Sequence, residues 1–192
     1  MSSAEPVPAA SRTGHVRPAR PDDAPAIARS HVRAWQAAYR GIMPEDYLKS
    51  LSPQEREAMW GRHLANPRPG HTLLVIEVDR VVAGFTAVGP ANQDLGHATL
   101  GELFAMNLDP DFWGRGLGKS LLQSATHELG RLGYTEAILW VIPENARARR
   151  LYEAAGWSAD GGQQTQEVLG VTVNEVRYRR SLAAGADDWN GA

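Results

Sequence analysis

The sequence predicts a mixed α/β domain: a mostly antiparallel sheet, flanked by helices, with one parallel crossover. Three observations predict it. Apolar residues recur at helical spacing through the first third of the chain, the period shortens to that of strands from Thr72, and a glycine-rich segment at 114–118 then joins a strand to a helix. Strands joined through a crossover helix run parallel, whereas hairpins run antiparallel. A chain of 192 residues is most simply one domain with a full core. Residues 14–182 are assigned to it, with flexible ends expected at 1–13 and 183–192.

His15 to Ala19 is expected as a short first strand, followed by a helix that starts at Pro21-Asp-Asp-Ala-Pro25 with an Asp as N-cap. Ile27, His31, Ala34, Trp35, Ala38 and Tyr39 give that helix one amphipathic face, and Gly41 ends it. Pro44 to Leu51 predicts a second helix, and Ser52-Pro53 caps a third that carries Met59, Trp60 and Leu64. Strands follow at 72–78 and 81–88, joined by a hairpin at Asp79-Arg80. The next strand, 99–108, feeds the glycine loop, and Leu117, Leu121, Leu122, Ala125, Leu129 and Leu132 stripe the following helix. A strand at 136–142 and a helix at 145–155 precede a closing hairpin, 163–169 and 171–179, turning at Gly170.

Charge and composition exclude several classes. Twenty basic against 22 acidic residues give a net charge of −2, with no basic field for nucleic acid or a membrane surface. No apolar run approaches the ~20 residues of a membrane span, and the N-terminal segment lacks the pattern of a signal peptide. The absence of cysteine excludes disulfides, zinc–thiolate sites and a cysteine nucleophile, and a cytoplasmic location is expected. The six histidines form no HxxxH or HExxH pair, so no metal is expected, and no G-x-S-x-G elbow presents a serine nucleophile.

The segment Trp113-Gly-Arg-Gly-Leu-Gly-Lys-Ser120 is the main chemical signal. Glycines at a strand-to-helix passage let backbone N–H groups approach an anion, and the helix N-terminus adds partial positive charge. A P-loop would need its first glycine at Trp113, and a dinucleotide fingerprint would need one at Lys119 or Leu121, so both spacings fail. What remains resembles the acyl-CoA pyrophosphate loop of the GCN5-related N-acetyltransferases, Gln/Arg-x-x-Gly-x-Gly/Ala, with Trp113 in place of the first residue. The resemblance extends to Asn145-Ala-Arg-Ala-Arg-Arg-Leu-Tyr-Glu-Ala-Ala-Gly-Trp157, similar to the family's N-x-x-A-x-x-x-Y-x-x-x-G-F, with Trp157 for the usual Phe.

That resemblance implies an acetyl-CoA-dependent N-acetyltransferase. The loop residues Trp113, Gly114, Arg115, Gly116, Leu117, Gly118, Lys119 and Ser120 would hold the cofactor, together with Met106, Asn107 and Leu108 on the preceding strand and Asn145 and Ala148 on the later helix. It implies that Tyr152 protonates the departing thiolate and that Glu102 takes a proton from the amine, with Glu175 a weaker rival. Trp35 and Tyr39 would line the acceptor pocket, while His31 is expected to be structural. The expected partner is a small-molecule amine. A protein or peptide acceptor and a non-catalytic CoA-binding module are the alternatives, and the family implies a homodimer.

Overall fold

The computed structural model describes residues 14–91, 99–168 and 171–182; the expectations for both chain ends and for a turn at Gly170 lie outside them. The described elements run β1 (His15–Pro18), α1 (Ala24–Ala38), α2 (Glu45–Ser50), α3 (Pro53–Ala65), β2 (Thr72–Val78), β3 (Val81–Pro90), β4 (Leu100–Leu108), α4 (Leu117–Arg131), β5 (Glu136–Val141), α5 (Ala146–Ala154), β6 (Ser158–Val168) and β7 (Val171–Ser181). The strands form one sheet in the order β1-β2-β3-β4-β5-β7-β6. Only β4 and β5 pair in parallel, bridged by α4, as the glycine-loop crossover predicts.

Strand alternation divides the core into two layers. On one face Leu103, Leu122, Leu129, Leu139, Tyr152 and Tyr178 pack together, with Ile76, Leu117 and Leu121 beside them, seating α4 and α5. On the other, Ile27, Trp60, Val75 and Phe85 seat α1 and α3, and Val32, Leu48 and Val173 tie in α2 and β7. Val75 and Ile76, adjacent in β2, serve opposite layers. Leu117, Leu121, Leu122 and Leu129 are at most 1% exposed, each burial contributing about 2 kcal/mol.

Local signals set most boundaries. Ser52 Oγ accepts the Glu55 N–H at 3.2 Å, capping α3 as expected. Asp79 and Arg80 turn the β2–β3 hairpin with φ of 49° and 65°, the left-handed pair that a two-residue type I′ turn requires.

Three expectations are corrected. Asp23 does not cap α1 with its side chain: a 3₁₀ turn at Pro21–Asp23 precedes the helix, and the carboxylate accepts instead from Arg17 (2.7 and 2.9 Å) and the Arg20 N–H (2.7 Å). Helix α1 ends at Ala38, before Gly41. Strand β6 begins at Ser158, not 163, because Asp160-Gly161-Gly162 bulges out of a strand already paired with β7. The bulge is held by Asp160, whose Oδ2 accepts from Arg177 Nε at 2.9 Å and from Arg179 Nε at 3.0 Å.

Candidate active site

The parallel pair parts partway along its length. Leu100–Leu103 pair with Glu136–Leu139, and there the β4–β5 register stops. Beyond it β4 continues on β3 alone, and β5 continues on β7 through Trp140 and Val141. The register on β3 slips between Ala87 and Val88, leaving Phe104 as the extra residue of a bulge at the point of parting. Asp109 N–H reaches Ala83 C=O at 2.8 Å. The two-residue alternation of an antiparallel ladder then turns the main chains of Met106 and Leu108 toward the gap.

The N-terminus of α4 closes one end of this gap. Gly116, its N-cap, has φ 82°, and Gly114 has φ 76°. A Cβ at either would meet nothing within 4 Å, so both backbones face open space. The first helical bonds run from Lys119 and Ser120 N–H to Gly116 C=O at 3.0 and 3.3 Å. Leu117 and Gly118 therefore present N–H groups with no carbonyl of their own helix to meet, the geometry that receives phosphate.

Tertiary contacts brace the loop. Asp109 Oδ1 accepts the Asp111 N–H at 3.0 Å, while its Oδ2 takes Arg33 Nε from α1 at 2.8 Å, and Arg33 Nη2 reaches Asp111 at 2.8 Å. Trp113 Nε1 donates to Leu108 C=O at 2.8 Å, and the Arg147 guanidinium lies 3.8 Å from the centre of the Trp113 ring. Burial, with repulsion from Arg150, lowers the pKa of Arg147. Trp113 thus ties strand, loop and α5 together where the resembled pattern has a Gln or Arg.

Helix α5 supplies the opposite wall. Asn145 Oδ1 caps it by accepting the Ala148 N–H at 3.1 Å, and the same side chain hydrogen-bonds Tyr39 on α1. Tyr152 lies two turns further along, 8% exposed, its pKa raised by burial and then by Tyr39. Burial likewise raises the pKa of Tyr39. Both stay phenols at neutral pH.

These parts enclose a cleft of about 670 Å³. It gathers Met106, Asn107 and Leu108 of β4 with Trp113, Gly114, Gly116, Gly118 and Lys119 around the α4 N-terminus. Asn145, Ala148 and Tyr152 line it from α5, and Trp35 and Tyr39 from α1. The remaining predicted residues are not among its lining. Leu117 is 1% exposed, its side chain in the core, so only its amide remains for a ligand. Arg115 turns to the Asp111 carbonyl (2.8 Å) and the Phe112 ring, and Ser120 engages Gly116 through its backbone.

Glu102 is also outside the lining: its strand neighbours are Gly89 and Ile138, where the sheet is still closed. Glu175 does line the cleft, and its Oε2 accepts from Gln164 Nε2 at 2.8 Å and Gln166 Nε2 at 2.5 Å. Its pairing position on β7 opposite α1 comes from the closing hairpin, which no local signal at residue 175 reveals. Phe104, Trp140, Arg147 and Arg150 also line the cleft, and the sequence did not single them out. His31 reaches it too while serving the core, its Nδ1 accepting Trp60 Nε1 at 3.1 Å. Among the described residues no cluster of His, Cys, Asp and Glu could hold a metal ion, and no helix is long and apolar enough to cross a membrane.

A parted parallel pair beside a glycine-rich helix N-terminus defines an acyl-CoA-binding acyltransferase class. The model of the acetyltransferase (GNAT) family matches residues 32–157 of this chain, and the chain belongs to that family. YuaI of Bacillus subtilis, named an uncharacterized N-acetyltransferase, is 30% identical over 84% of this chain and 89% of its own length. A mycothiol acetyltransferase of Kocuria rhizophila is 38% identical over 56% of this chain, which spans 35% of that longer protein. The protein yncA of Salmonella typhimurium, solved with its cofactor acetyl-CoA, superposes with a TM-score of 0.67 at 23% identity, covering 91% of this chain and 96% of that one. The PaiA N-acetyltransferase of Thermoplasma acidophilum, solved with coenzyme A, gives 0.68 at 18% identity over 88% and 99%. The protein is an acetyl-CoA-dependent acetyltransferase.

Proposed function

We propose that this protein acetylates the primary amine of a small cytoplasmic molecule by direct attack within a ternary complex. The observation that carries the reading is the parting of β4 from β5 immediately beside the α4 N-terminus, within one continuous cleft that Glu175 also lines. Acetyl-CoA supplies the thioester and the leaving thiolate. The glycine-loop amides of residues 114–118, with Lys119, Arg147 and Arg150 around them, suit its phosphates, and the main chain of Met106, turned toward the gap with the Leu108 N–H, suits an extended amide-bearing arm. An N–H of that edge aimed at the reacting carbonyl contributes about 3 kcal/mol to transition-state stabilisation.

An ammonium has no lone pair, so attack needs a base. Glu175 takes the proton, because it lines the cleft and Glu102 does not. Tyr152, kept protonated by its burial, supplies a proton to the departing sulfur. The acceptor half, walled by Trp35, Tyr39 and Glu175, fits a compact amine better than a folded protein surface.

Isothermal titration of acetyl-CoA into the protein, with Gly116→Trp as control, followed by thiol release with an amine panel, tests the reading. Micromolar binding that the control abolishes, with amine-dependent thiol release, is expected. Binding without release from any amine would leave a CoA-binding module, and no binding would remove the cofactor assignment.

A further inference from the structure

Charge divides the cleft. Lys119, Arg147 and Arg150 stand on its α4–α5 side, and Glu175 is the one carboxylate among its described lining residues. In the same cleft as Glu175, helix α1 and its C-cap present His31, Ala34, Trp35, Ala38 and Tyr39, none of them cationic at neutral pH, since burial and Arg56 hold the His31 pKa down to about 4. Trp35 and Tyr39 meet edge-on with ring centres 5.0 Å apart, a rigid arrangement.

Two more rings stand where the strands part. Phe104 is the first residue of β4, and Trp140 the first of β5, beyond the last pair, Leu103 with Leu139. Both line the cleft. Phe104 stacks on His71 with ring centres 5.7 Å apart, and Trp140 carries the Arg177 guanidinium 5.5 Å from its ring centre. Each ring is thus held from outside. Phe104 nevertheless remains 46% exposed, and Val81, in a hairpin remote from the cleft, is its only match among the described large apolar side chains. A half-exposed aromatic ring on the wall of a cleft offers apolar surface to an occupant.

We infer that the acceptor is a primary amine on an aromatic body, with no carboxylate beside the amine. The inference rests on the acetyl-transfer reading above and names its substrate class. The ring of such an amine packs against Phe104, Trp140 and Trp35 while its ammonium meets Glu175. An acceptor carboxylate would find no cation among the described lining residues on this side, the Arg177 guanidinium behind Trp140 being paired with Asp160, and would face the like charge of Glu175. Gln164 and Gln166, both donating to Glu175 Oε2, position that carboxylate.

The test is steady-state thiol release from acetyl-CoA with phenethylamine, phenylalaninol, phenylalanine, n-butylamine and spermidine. Phenylalaninol and phenylalanine differ only in a hydroxymethyl for a carboxylate. The expected kcat/KM for phenethylamine and phenylalaninol exceeds that for phenylalanine and for n-butylamine by at least about tenfold. Phe104→Ala removes the advantage over n-butylamine. Glu175→Gln slows every amine and brings the phenylalaninol-to-phenylalanine ratio toward one, while acetyl-CoA affinity by titration stays within about threefold. Phenylalanine or spermidine matching phenethylamine overturns the substrate class and leaves acetyl transfer standing. Acetyl-CoA binding with no thiol release from any of the five overturns both.

Discussion

His31 should make the fold sensitive to mild acid. The ring is 8% exposed and packs against Trp35, Trp60 and Phe85 at centroid distances of 5.5, 5.9 and 5.8 Å. Its Nδ1 accepts from Trp60 Nε1, so the neutral ring carries its proton on Nε2. Burial, with the Arg56 guanidinium adding repulsion, lowers its pKa from 6.5 to about 4. Between those values the unfolded chain binds a proton that the folded chain excludes. The neutral ring's contribution is therefore complete above pH 6.5, declines as pH falls toward about 4, and stays lost below. At about 1.4 kcal/mol per pH unit, that interval amounts to about 3 kcal/mol, a large share of a typical domain's stability.

Urea unfolding followed by tryptophan fluorescence, between about pH 7.5 and about pH 4.5, measures this loss. Over that range carboxylates such as Asp23, held low by the Arg17 hydrogen bond, still keep their contribution. His31→Asn retains an acceptor for Trp60 Nε1 and cannot titrate. Its stability should be nearly level with pH, apart from the smaller share of His63, whose pKa partial burial and then Arg68 lower in the same direction. If His31→Asn keeps the wild-type decline, the burial of His31 is not its source and the reasoning fails.

Three further outcomes are expected. Tyr152→Phe should lower kcat by about 10²-fold and leave the acetyl-CoA Kd nearly unchanged, because the hydroxyl serves the departing thiolate; a change confined to Kd would refute the acid role. Arg33→Ala should raise the acetyl-CoA Kd several-fold by releasing Asp109 and Asp111, yet lower the unfolding free energy from urea titration by less than about 1 kcal/mol, since Arg33 is 43% exposed. Trp157→Phe should leave stability unchanged or raise it by up to about 1 kcal/mol. The Trp157 Nε1 is buried without a hydrogen-bond partner, and removing a buried unsatisfied donor recovers about as much as the smaller ring forfeits in packing. A loss above about 2 kcal/mol in calorimetry would contradict that balance.

What could be read from the sequence was local or periodic. The left-handed Gly114 and Gly116, the Asn145 cap on Ala148, the Ser52 cap on Glu55 and the leucine stripe of α4 each depend on residues within one or two turns, and each lies where the sequence placed it. The single parallel crossover followed from the glycine-rich segment that opens its helix. The chemistry of the cleft was decided elsewhere. Arg33 meets Asp109 across 76 positions, Tyr39 meets Asn145 across the sheet, and Asp160 holds its bulge only because β7 brings Arg177 and Arg179 beside it. The bulge that exposes Phe104 depends on the register of β4 against β3. Glu175 rather than Glu102 lines the cleft because the pairing of β7 between β5 and β6 carries residue 175 there. Backbone conformation and amphipathic spacing are written in neighbouring residues, whereas register and the meeting of distant charges exist only once the strands have paired.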